Sequence, residues 1–168
     1  YPWAGIHLES NNNAISYNII FNSTAGIYFN SSNSNRVCKN TIRNNGWDGL
    51  HLISSCNNII NNNVIVRNWD IGINFYMGCH NNIVEENIIS DEIMMGSPKG
   101  VPNNNIISEN SLSGGGIIVW KGYNNTVLNN TINGRPLVYL EGAKRFNIQD
   151  AGQVILINCT GIKVQSLH

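Results

Sequence analysis

Two carboxylates sit in matched surroundings, Asp48 directly after Trp47 and Asp70 directly after Trp69. Hydrolysis of a glycosidic bond needs two such groups, one to donate a proton and one to act as base or nucleophile. The same residues suit sugar binding without cleavage. An indole face covers the C–H face of a pyranose while nearby polar groups take its hydroxyls. Four more polar residues, His7, Tyr28, His51 and Asn74, occupy the third position of a Gly-apolar-x-apolar run. If those runs are strands, the third position points outward and the four make one polar column. Pro98, Ile118 and Val138 would extend it. The candidate glycan-contacting set is therefore His7, Tyr28, His51, Asn74, Trp47 and Trp69, with Asp48 and Asp70 as secondary candidates for catalysis. The alternative is that the Trp rings fold over corners as packing and that His and Tyr are ordinary strand surface. Cys56, Met77, Cys79 and His80 form a soft-ligand group of the kind copper(I) prefers, with Met94-Met95 a second one. Free Cys and Met are more often core filler, so no metal or other cofactor is expected.

These residues are spaced by a repeat. Asn pairs five residues apart recur as Asn13/Asn18, Asn35/Asn40, Asn58/Asn63, Asn82/Asn87, Asn105/Asn110 and Asn125/Asn130. The second member advances by 22, 23, 24, 23 and 20 residues. Two positions after each Asn stands an apolar branched residue: Ile15, Val37, Ile60, Val84, Ile107 and Val127 after the first, Ile20, Ile42, Ile65, Ile89, Leu112 and Ile132 after the second. A fixed period in this range means a stack of one supersecondary unit.

That unit is not a helix. Asn fills about a fifth of the chain and Ala is scarce, against helix propensity. Apolar residues come in short alternating runs such as Leu50/Leu52 and Ile73/Phe75, which is strand period. Asn, Gly and Ser between them accept bends and left-handed backbone. Short strands and tight bends stacked at about 4.8 Å describe an all-β parallel solenoid. About seven coils of 20–24 residues would make a rod of roughly 34 Å. Like residues then stack on like residues, and buried Asn side chains can pass amide hydrogen bonds along the stack as ladders.

The first four coils open regularly at Gly5, Gly26, Gly49 and Gly72. The fifth is read as opening at Gly96, with Ile93 to Pro102 bulging out because Pro98 removes a ladder donor. After Asn133-Gly134-Arg135-Pro136 the Asn pairs end. Residues 1–134 read as regular ladder coils and 135–168 as a less regular continuation of the same single domain. The chain begins and ends abruptly within the pattern, as a piece of a longer protein would.

Net charge is zero and charged residues make up 12%. A nucleic-acid binder would carry a basic stripe, and none is present. No apolar run approaches the ~20 residues of a membrane span. Cys56 and Cys79 fall close together on adjacent coils, within reach of a disulfide. Sequons at Asn22, Asn30, Asn124, Asn129 and Asn158, with the low charge, lean toward an exported protein.

The Gly-Ile-x-Leu, Asn-Asn and Asn-Thr-Ile repeats resemble NosD-like proteins, within the carbohydrate-binding and sugar-hydrolase group of parallel β-helices. The run Asn130-Thr131-Ile132-Asn133-Gly134-Arg135-Pro136-Leu137, followed by Asp150-Ala151-Gly152-Gln153-Val154-Ile155-Leu156, is similar to a segment of archaeal surface-exported members. The resemblance implies a right-handed single-stranded, pectate-lyase-like β-helix at the cell surface. It implies as partner a polysaccharide or glycan, or neighbouring envelope subunits. Some relatives are implicated in copper-site maturation. The Asp clusters of β-helical glycoside hydrolases and the calcium-with-Arg/Lys arrangement of the lyases are missing, so this segment is expected to bind without cleaving; a polysaccharide-cleaving fragment and a copper-handling accessory protein are the alternatives.

Overall fold

The computed structural model describes residues 4–167, and among these there is no helix. Six successive coils each contribute one strand to each of three sheets. The first sheet stacks Ile6–Leu8, Ile27–Asn30, Leu50–Ile53, Ile71–Tyr76, Glu92–Met95 and Ile117–Val119. The second runs from Ala14–Ser16 to Thr126–Leu128 and the third from Ile19–Phe21 to Thr131–Ile132. Pairing between successive coils is parallel throughout. All twelve apolar residues that follow the paired Asn are buried inside the resulting tube.

Both Asn ladders form. In the second, Asn63 Oδ1 accepts from Asn40 N at 2.9 Å and Asn40 Nδ2 at 3.1 Å. Asn63 Nδ2 passes the pattern to Asn87 Oδ1 at 3.0 Å and donates to Val37 O at 2.9 Å. The first ladder repeats this from Asn13 to Asn125. One amide per coil thus satisfies backbone groups at a bend that the sheets leave unpaired. A third, shorter ladder lies at the remaining corner. Ser23 N donates to Asn45 Oδ1, Asn45 Nδ2 to Asn68 Oδ1, and Asn68 N and Nδ2 to Asp91 Oδ2. It was missed in the sequence, although Asn45 and Asn68 repeat the same five-residue step after Asn40 and Asn63.

The residue before each ladder Asn adopts left-handed backbone, whether it is Asn or not: Tyr17, Lys39, Arg67, Glu86 and Glu109 have φ of 55–59°. Left-handed backbone costs an L-residue roughly 1–2 kcal/mol, and the ladder hydrogen bonds offset it. Glu109 is exposed and engages the next coil only through its backbone N, at 3.1 Å from Leu128 O. Glu109→Gly is therefore expected to raise stability by about 0.5–1 kcal/mol, with the entropy of the unfolded glycine subtracted. A urea midpoint at or below that of the parent would contradict the strain argument.

Glycine opens the strands of the first sheet for want of space. A Cβ on Gly49 would lie 2.6 Å from Gly72 O and 2.7 Å from the Ile65 Cγ2 of the core.

Coil five departs from the sequence reading. Its first-sheet strand is Glu92–Met95, ahead of Gly96, and the bulge is confined to the segment that follows. Ile93 and Met95 pair with Ile73 and Phe75 and are fully buried, and a register shift between Ile71 and Ile73 absorbs the offset. Burying two apolar side chains outweighs retaining a glycine at the strand start. Consequently Asn74 is followed in its column by Met94 and then Ile118, not by Pro98. Val138 lies outside the first sheet. After the Asn133-Gly134 turn, Arg135–Glu141 folds back antiparallel on Thr131–Ile132 and pairs in parallel with Gln153–Ile157.

Candidate functional site

Backbone register brings His7, Tyr28, His51 and Asn74 into one file on the outer face of the first sheet. Their exposure differs from expectation. His7 is exposed, but Tyr28, His51 and Asn74 are 6%, 3% and 7% accessible. Rings cover them. His51 stacks flat on Tyr28, with centroids 5.5 Å apart and planes 2° apart, and Trp47 lies over His51 at 4.3 Å. Tyr76 approaches His51 from the next coil at 5.7 Å. At the open end His7 meets the Tyr28 edge at 5.2 Å. Glu9 stands there too; the Asn30 amide and the nearby His7 hold its carboxyl below the usual range. Trp3 lies outside the described residues.

Beneath these rings is a buried polar network. Asp48 is wholly inaccessible. Its Oδ2 accepts from His51 Nδ1 at 2.5 Å and from Asn74 Nδ2 at 3.0 Å, and its Oδ1 from Ile71 N at 3.1 Å. The repeat does not ask for this. Backbone bonds place Ala25 and Ile71 at the Asp48 position of the neighbouring coils. Burying a carboxylate costs several kcal/mol before its partners compensate. What the Asp does locally is fix the imidazole: the Nδ1 proton is committed to the carboxylate and Nε2 is left as the ring's other polar atom. Asn74 Oδ1 is buried with no partner, a condition that costs about 1–3 kcal/mol.

A pocket of about 260 Å³ opens on this network, lined by Trp47, His51, Ile53, Asp70, Asn74 and Tyr76. Asp70 is exposed at its wall, whereas Asp48 is behind it. The two carboxylates are thus not equivalent. Asp70 N bonds to Trp47 O, so Asp70 is level with Trp47, and Asp48 is level with Ile71. One residue of offset turns one Asp out and the other in. Trp69 is 86% exposed and outside the pocket lining. A second cleft of about 310 Å³ lies where Trp120, Lys121 and Tyr123 face Leu156 and Asn158. It carries no buried polar network.

The soft-ligand residues separate. Cys79 points into the core with no accessible surface, its thiol donating to Leu52 O and Tyr76 O at 3.3 Å. Cys56 is half-buried with its Sγ toward Gly78 O, Met77 is exposed, and His80 Nδ1 accepts from Asn103 N. All four cysteines are free thiols, so the Cys56–Cys79 disulfide does not form. Among the described residues, no group of three or more His, Cys, Asp or Glu is placed to hold a metal ion. Burial pushes the Cys79 thiol up to about 12. Cys79 is therefore expected to resist alkylation in the native protein at pH 8 while Cys38 and Cys56 react. Its folded pKa lies above the unfolded one, so its contribution to stability is present below pH ~9 and declines as pH rises toward 12. Mass spectrometry after a timed alkylation reads the first effect, and rapid labelling of Cys79 would contradict its placement.

Of the sequon asparagines, Asn22, Asn124, Asn129 and Asn158 are exposed at left-handed corners, while Asn30 donates to Glu9.

Stacked parallel strands in three sheets define a parallel β-helix with a polar pocket on one outer face. A model of the right-handed β-helix region matches residues 2–132. The chain belongs to that right-handed β-helix family. No curated protein and no solved structure matches it.

Proposed function

We propose that this chain is a glycan-binding β-helix module acting at the cell surface, which holds sugar without cleaving it in this segment. The observation that carries the reading is the pocket on coils three and four. Its lining combines two aromatic rings, Trp47 and Tyr76, with three groups able to hydrogen-bond hydroxyls, His51, Asp70 and Asn74. A concave site with aromatic walls and a few convergent polar groups is the usual form of a small-ligand site. Export is supported by the low charge and by four exposed sequon asparagines. Binding rather than cleavage is supported by the position of Asp48, whose carboxylate is spent on three protein donors and does not reach the pocket wall.

A glycan array comparing the parent with Trp47→Ala and with Trp47→Ala/Trp69→Ala tests it. Trp47→Ala is expected to weaken the best signal about tenfold or more, the loss typical of a stacked aromatic anchor. Trp69→Ala should add little, because that ring stands outside the pocket. Equal signals from parent and variants would contradict the reading and favour a role in envelope structure.

A further inference from the structure

We infer that the pocket offers its ligand two hydrogen-bond acceptors behind a negative rim, and so selects a neutral sugar with adjacent free hydroxyls over uronic acids and other anionic sugars. This rests on the glycan-binding reading of the same pocket.

The first acceptor is Asn74 Oδ1, buried, without a partner and on a pocket-lining residue. Its orientation is fixed by the other end of the amide. Nδ2 donates to Asp48 Oδ2 at 3.0 Å, and exchanging the two atoms would set an oxygen against a carboxylate. The second acceptor is His51 Nε2. With Nδ1 donating to Asp48, Nε2 is the nitrogen that carries the lone pair in the uncharged form of the imidazole. Two acceptors require two O–H donors, and neighbouring hydroxyls of a pyranose supply them. Among the described residues, the other buried amide oxygen without a partner, Asn61 Oδ1, is on a residue that lines neither cleft. The pairing of orphan acceptor and pocket is thus particular to Asn74.

Charge gives the second half of the selection. Asp70 is the charged residue of the lining, which contains no Lys or Arg. A carboxylated sugar would bring a like charge toward it and would find no cation to pair with. Asp70 is exposed, so the discrimination should be screened by salt.

Calorimetric titration of the full chain with neutral hexasaccharides (cellohexaose, maltohexaose, mannohexaose) and with hexagalacturonate tests the selection. At about 0.01 M salt the uronate is expected to bind at least about tenfold more weakly than the best neutral sugar. The gap should narrow at about 1 M salt and in Asp70→Asn. Monodeoxy analogues of that best sugar should lose about tenfold when either of two adjacent hydroxyls is removed. Uronate binding equal to or tighter than neutral binding, or no deoxy analogue with a loss, would overturn this inference and leave the glycan-binding reading standing. No binding by any of the sugars would overturn both.

Discussion

Asn63→Ala is expected to lower stability by about 3–5 kcal/mol, far more than truncating an ordinary surface amide. The substitution strands Asn40 N, which loses Asn63 Oδ1, and removes one bond each from Asn40 Nδ2, which keeps Ile15 O and Cys38 O, and from Val37 O, which loses Asn63 Nδ2. A buried donor left unpaired costs ~1–3 kcal/mol and each further lost bond ~0.5–1.5 kcal/mol. Asn18→Ala, in the same ladder on coil one, should cost only ~0.5–1.5 kcal/mol. Asn18 is exposed, and its backbone N still reaches Asn40 Oδ1 at 3.0 Å. Asn63→Asp should be no better than Ala, because a carboxylate would face the Asn87 and Val37 oxygens that now accept from Nδ2. Asp91 shows where Asp is tolerated: at the end of the third ladder, where it accepts from Asn68 and from Ser90 Oγ and has no amide to supply. Urea denaturation with unchanged slope reads these differences. Equal losses at Asn18 and Asn63 would mean that the ladder is incidental.

Asp48→Ala is the second large effect, at about 3–5 kcal/mol, the range found when one member of a buried charged network is removed. The backbone is not the reason, since Ala25 occupies the same position one coil earlier. The cost lies in His51 Nδ1, Asn74 Nδ2 and Ile71 N, which all lose their acceptor at once. A loss under ~1 kcal/mol by thermal denaturation would show that water replaces the carboxylate and that the network is slack.

The periodic parts of this molecule could be read from sequence because each is enforced once per coil. Twelve branched apolar residues and two files of Asn leave one register, and the structure has it. The alignment of His7, Tyr28, His51 and Asn74 follows from the same register. What the period could not show is where a coil departs from it. Trp47-Asp48 and Trp69-Asp70 look like one motif repeated, yet the hydrogen bonds pair Asp48 with Ile71. The offset can be counted in the sequence, since Asp48 stands one residue before Gly49 and Asp70 two before Gly72, but only the coordinates show that it buries one carboxylate and exposes the other. Similarly, Gly96 keeps the spacing of a strand start, but the observed frame buries Ile93 and Met95, where a frame built on Gly96 would turn Ser97 and Lys99 inward. The covering of the polar column is a tertiary effect as well. It depends on Trp47 and Tyr76 lying over His51, which strand alternation cannot convey.

The Asp48–His51–Asn74 network is held here to exist for a ligand, not for the fold. The most direct measurement replaces it with the residues that neighbouring coils carry at the same positions, Ala25, Tyr28 and Met94, in the triple variant Asp48→Ala/His51→Tyr/Asn74→Met. Exchanging a whole buried charged cluster for packed side chains is often neutral or stabilising. The account predicts a cooperative thermal transition at or above that of the parent, together with loss of glycan binding in the same preparation. A folded triple variant that binds glycan as tightly as the parent would contradict it.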